Sequence, residues 1–95
     1  MHVISRKALR TFWDREPDSE AALRRWYKVV SMSQFSSFAE LRETFPSADV
    51  VDELTVFNIG GNKYRLIASI HYNRQKIYVR HVMTHADYDR GSWKR

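Results

Sequence analysis

The sequence predicts an α+β fold in which N-terminal helices pack on one face of a small, mainly antiparallel sheet of three to four strands. Apolar residues recur every three to four positions up to about Phe45, then every second position from Leu54 onward. The later apolar runs are separated by Gly60-Gly61-Asn62 and by Asn73-Arg74-Gln75-Lys76, short polar connections of the kind that join antiparallel neighbours.

The chain opens with a short apolar run, His2 to Ile4, that can add an edge strand. Ser5 then offers an N-cap, and Ala8, Leu9, Phe12 and Trp13 line one side of a first helix over Arg6 to Arg15. Pro17-Asp18 breaks it. Leu23, Trp26, Tyr27 and Val30 fall at helical spacing and predict a second, longer helix. Ser37 and Glu40 form a capping-box pattern ahead of a short third helix that Phe45-Pro46 stops.

Glu53 to Asn58 is rich in β-formers, and the glycines after it supply the positive φ that a tight hairpin needs. From Lys63, the residues Tyr64, Leu66, Ala68, Ile70 and Tyr72 alternate with Lys63, Arg65, Ile67, Ser69 and His71. One face is apolar and packs on the helices; the other is mixed and basic. Continued along Ile77 to Thr84, the alternation places Ile77, Val79, His81 and Met83 on the buried side, and Tyr78, Arg80, Val82 and Thr84 opposite. His85 to Asp89 reads as a turn or short helix before Gly91.

Composition narrows the function classes. Ninety-five residues with 43% hydrophobic content, three Gly and two Pro suit one folded domain spanning 1–95. The absence of cysteine excludes disulfides, thiolate metal sites and cysteine nucleophiles, and fits a reducing cytoplasm. With neither a secretory signal nor a membrane-length apolar run, the expectation is a soluble cytoplasmic protein.

Charge is unevenly distributed. Up to Glu53 nine acids face eight Lys/Arg; beyond it two acids, Asp87 and Asp89, face eight. The whole excess of +5 therefore lies in the second half, as expected of a surface that meets a polyanion. On the predicted strands Lys63, Arg65 and Arg80 share the open face, where arginine's planar fork matches phosphate oxygens. Asn62, Arg74, Lys76 and Lys94 extend the expected surface for a nucleic-acid partner, and Tyr72, Tyr78 and Trp93 are candidates to stack on bases. At the end of the last strand, His85 and Tyr88 offer proton-transfer groups. A metal site from His81, His85 and Asp87 is disfavoured, because His-x-x-x-His converges only on a helix and His81 lies in a strand.

The segment Val56-Phe57-Asn58-Ile59-Gly60-Gly61-Asn62-Lys63-Tyr64-Arg65, followed by Met83-Thr84-His85-Ala86-Asp87-Tyr88-Asp89, resembles the HigB toxins of the RelE superfamily. So do His2 to Leu9 and Phe45-Pro46-Ser47-Ala48-Asp49. The resemblance implies the toxin of a type II toxin–antitoxin system, an endoribonuclease that cuts mRNA, usually in the ribosomal A site, by attack of the RNA's own 2′-hydroxyl. It implies no metal or other cofactor, and neutralisation by a helix-turn-helix antitoxin of the HigA type. By position, Arg65 takes the role of transition-state phosphate stabilisation and Tyr88 or His85 that of proton transfer, with Lys63 and Arg80 positioning the phosphate. Lys63 stands two residues before the arginine and not in a preceding loop, which leaves the general base open. A non-catalytic RNA- or ribosome-binding module would need only the basic face, and a protein-binding subunit only the aromatic helical stripes.

Overall fold

The computed structural model describes residues 1–94, and its elements follow the order read from the sequence, with two strands more than the central three. Strand β1 (His2–Ile4) leads into α1 (Arg6–Arg15), which buries Leu9, Phe12 and Trp13. A single 3-10 turn begun by Pro17 redirects the chain into α2 (Glu20–Ser31), which buries Leu23, Trp26 and Val30. Helix α3 (Phe38–Thr44) starts where the capping pattern puts it: the Ser37 hydroxyl accepts the Glu40 amide at 3.2 Å.

Four further strands follow: β2 (Asp49–Val51), β3 (Leu54–Ile59), β4 (Tyr64–His71) and β5 (Lys76–Thr84), and then the short helix α4 (His85–Arg90). The sheet has five strands in the order β1-β5-β4-β3-β2, antiparallel except for the β1–β5 pair. The helices cover one face, where Leu9, Leu23 and Leu41 meet Phe57, Leu66, Ala68 and Ile77. Each fully buried leucine contributes about 1.5–3 kcal/mol, so this layer carries most of the stability.

Three expectations are corrected. The sheet exceeds the predicted three to four strands because β2 pairs with β3 through the two-residue turn Asp52-Glu53. Both turn residues have positive φ, +51° and +68°. That is the twist a tight hairpin wants, but it is reached here without the Asn-Gly or Gly-Gly that would announce it.

Strict alternation also fails in β5. Ala68 pairs with Val79 and Ile67 with His81, leaving Arg80 as an extra residue with nothing opposite. Such a bulge resets the side-chain period by one. Ile77 and Val79 face the helices as expected, but Val82 joins them, and Met83 and His81 swing to the reverse face. His81 is consequently exposed instead of buried in the core.

Finally, the reverse face is not open throughout. Val56 and Ile67 lie there under Trp93, with Val51, Leu54, Met83 and Tyr88 packed around them. The chain after β5 folds back over this end of the sheet and makes a second, smaller apolar cluster.

Candidate active site

The site is organised by the β3–β4 hairpin and the start of α4. Ile59 and Tyr64 close the hairpin, and Gly60 and Gly61 turn it at φ +62° and +69°. The Lys63 carbonyl accepts the His85 amide at 2.9 Å, which ties the hairpin to the first residue of α4. Helix α4 is defined at both ends. The Thr84 hydroxyl accepts the Asp87 amide at 3.1 Å, and Gly91 ends the helix at φ +74°. The chain then turns so that the Trp93 ring stacks on Tyr88, with centroids 5.2 Å apart and planes 13° apart, while its Nε1 donates to the Tyr88 carbonyl at 3.2 Å.

That stack holds Tyr88 against Arg65, whose guanidinium carbon lies 5.6 Å from the phenol centroid. Arg65 is only 8% exposed. Its Nη1 donates to the Tyr64 carbonyl at 3.0 Å and the Asn62 carbonyl at 3.4 Å, and its Nη2 to Asn62 Oδ1 at 2.6 Å. Every one of these acceptors is neutral. Among the described residues the carboxylate pairs are Arg24–Glu20, His85–Asp89 and Arg90–Asp87, none of them at Arg65. A guanidinium shielded from water without a counter-ion is an unfavourable arrangement that an incoming anion relieves.

His85 begins α4, bound through its amide to the Lys63 carbonyl of the same hairpin. Its Nδ1 is shielded from solvent and lies 3.0 Å from Asp89 Oδ2, an ion-pair distance whose angle is not that of a hydrogen bond. Nε2 is the ring nitrogen left for another partner. On the helix side of the same hairpin, burial pushes the Tyr64 phenol above its ordinary pKa, and the charges of Glu16 and Asp18 add to the effect.

The structure therefore gathers Lys63, Arg65, His85 and Tyr88 at one end of the sheet, with Asn62 gripping the arginine and exposed Lys94 next to Trp93, 5.7 Å from its ring. It does not bring Arg80 to them. Arg80, the unpaired residue of the bulge, lies with its guanidinium carbon 5.5 Å from the Tyr78 ring and also borders the groove between β5 and α1. Arg74 and Lys76 lie at the other end of the β4–β5 pair, where His71 pairs with Lys76. That is seven strand rises from Tyr64, or roughly 23 Å, too far to serve this patch. Sequence reasoning missed Asp89 and the capping of α4, although the Thr84-x-x-Asp87 spacing is a recognisable N-terminal signal. It also left Trp93 as a candidate surface stacker, whereas Trp93 is buried and stacks on Tyr88.

The chain is similar to known proteins over most of its length. A family model described as "HigB_toxin, RelE-like toxic component of a toxin-antitoxin system" matches residues 19–91. The "mRNA interferase toxin HigB" of Escherichia coli (strain K12) is 36% identical over 92 residues, 94% of this chain and 88% of that protein. The "mRNA interferase HigB" of Shigella flexneri matches to the same extent, and that of Escherichia coli O6:H1 is 32% identical over 93 residues, 95% of this chain and 90% of its own length.

Proposed function

The chain belongs to the HigB family of RelE-like toxins, and from that premise we propose that it is an endoribonuclease that cuts mRNA at the Arg65–His85–Tyr88 site. The observation that carries this reading is the buried Arg65, held by neutral acceptors and lacking a carboxylate. In the reaction the 2′-oxygen of the RNA bonds to the adjacent phosphorus as the P–O5′ bond breaks. The 2′-hydroxyl proton leaves to a base and O5′ gains a proton, so a 2′,3′-cyclic phosphate and a 5′-hydroxyl result. Arg65 stabilises the charge that accumulates on the non-bridging oxygens, already oriented before the substrate arrives. His85 and Tyr88 divide the two proton transfers, and the contact of Nδ1 with Asp89 makes Nε2 the nitrogen that acts. Exposed Lys63 adds a mobile charge for the flanking phosphate.

As the toxic component of a toxin–antitoxin pair, the chain has an antitoxin as partner. We take that antitoxin to be a helix-turn-helix protein of the HigA type, and the substrate to be mRNA on the translating ribosome. No described helix is long and apolar enough to cross a membrane, and the reading places the reaction in the cytoplasm.

The test is expression in bacteria with mapping of RNA 5′ ends. The wild type is expected to arrest growth and to produce new 5′-hydroxyl ends inside reading frames, and Arg65→Ala to do neither while still folding. Undiminished cutting by Arg65→Ala would overturn the site. RNA binding without any cutting by the wild type would leave a non-catalytic RNA-binding module instead.

A further inference from the structure

Strand β1 covers the outer edge of β5 only as far as Tyr78, where the Ile4 pairing ends. Beyond it, α1 runs alongside β5 and leaves a groove of about 460 Å³. On its helical wall stand Lys7, Thr11 and Arg15, spaced i, i+4, i+8 and so on one face along about 12 Å of helix. On its strand wall stands Arg80, exposed, with His81 at the rim, its side chain on the reverse face of the sheet. Neither Asp nor Glu lines the groove, and the carboxylate pairs of the described residues involve none of its cations. Arg15 and Val82 also border a smaller cavity that continues to Thr84 and Asp87 at the start of α4. Two carboxylates sit in that continuation, Glu16 and Asp87, the second paired with Arg90 at 2.8 Å. The anion-attracting stretch is thus the Lys7–Arg80 end.

We propose that the groove between α1 and the free edge of β5 binds the sugar–phosphate backbone of the single-stranded RNA that flanks the cleaved bond, with Lys7, Arg15 and Arg80 on successive phosphates. The proposal rests on the RNA-cutting reading above and adds a second contact surface on the other side of β5. It also gives the bulge a purpose: β-bulges re-aim side chains beside functional sites, and here the bulge leaves Arg80 with nothing opposite on β4, beside the groove.

The test is fluorescence anisotropy of the full chain with a labelled 2′-O-methyl oligoribonucleotide, which binds but cannot be cut, over a series of salt concentrations. The triple variant Lys7→Gln/Arg15→Gln/Arg80→Gln is expected to bind roughly tenfold or more weakly at low salt, and its log–log salt slope to fall by about 2, near 0.7 per lost phosphate contact. A control triple, Arg25→Gln/Lys28→Gln/Arg42→Gln, removes the same charge from the helices and is expected to keep the wild-type slope. If the groove triple does not fold, Lys7→Gln and Arg80→Gln singly are each expected to lower the slope by about 0.7. Equal losses in both triples, or none in the groove triple, overturn the proposal. So does a groove triple that escapes its antitoxin with an unchanged RNA slope, because the groove then serves a protein. Weakened binding in a chain that cuts no mRNA supports the groove and overturns only the cutting reading; cutting that persists with unchanged binding overturns only the groove.

Discussion

Asn62 Oδ1 accepts a hydrogen bond from Arg65 Nη2 at 2.6 Å, so the last residue of the Gly-Gly-Asn run aims the guanidinium that begins the next strand's chemistry. Asn62→Ala removes a charge-assisted bond from a half-exposed setting. A stability loss of about 1 kcal/mol is expected, readable in urea denaturation. Activity should fall further than that, by about 10- to 100-fold, because Arg65 loses its orientation. An activity loss no larger than the stability loss explains would contradict the positioning role.

Arg65→Lys keeps the charge but not the planar fork, and cannot hold Asn62 and an incoming phosphate together. Cutting is expected to drop about 10²- to 10³-fold, the loss typical of a preorganised donor to transition-state charge. Single-turnover cleavage of a model mRNA by Arg65→Lys and Arg65→Ala measures it. Near-wild-type cutting by the lysine variant would mean that only net charge matters.

His85→Gln and Tyr88→Phe should each slow the chemical step by about 10²- to 10⁴-fold, with binding of an uncuttable RNA unchanged. Tyr88→Phe preserves the ring against Trp93 and Arg65, so circular dichroism and melting should match the wild type. Trp93→Ala, by contrast, opens the small cluster on Val56 and Ile67 and is expected to cost about 3 kcal/mol.

Tyr64 sets an alkaline limit. Its folded pKa is raised, so the neutral phenol stabilises the fold fully below the unfolded value of about 10. That contribution is lost as pH rises through about 10 toward the folded value, because the unfolded chain ionises first. Thermal melts from neutral pH upward should fall more steeply for the wild type than for Tyr64→Phe, and parallel curves would remove Tyr64 as the cause.

The Asp52-Glu53 turn offers a test of the fold itself. Both residues occupy positive φ, where Asn-Gly fits without strain. The double variant Asp52→Asn/Glu53→Gly should gain roughly 0.5–1 kcal/mol in chemical denaturation with cutting unchanged. A loss would show that these side chains support β2 in some other way.

Much of this was legible beforehand because it depends on neighbours in sequence. The apolar stripes of α1 and α2, the Ser37 cap and the glycines of the β3–β4 hairpin are local signals, and each appears where the pattern put it. Arg65, His85 and Tyr88 could be named from motif spacing, and the toxin family with them. Strand β2 was not legible, since its turn lacks glycine and its three residues are too few for a period.

What only the tertiary structure decided follows from contacts between distant segments. Alternation along β5 is a local count, and one unpaired residue, Arg80, shifts everything after it to the other face; which residue bulges is settled by pairing with β4 and packing against α1. The same holds for Arg65. Its sequence neighbours suggest an open strand face, but Tyr88, brought back by α4 and backed by Trp93, lies against it, and the charge is nearly buried. The sequence by itself determined the helices, the three central strands and the chemical groups. Long-range packing determined which cations share a surface, because strand register and the return of the C-terminal segment are fixed by burial that no local pattern records.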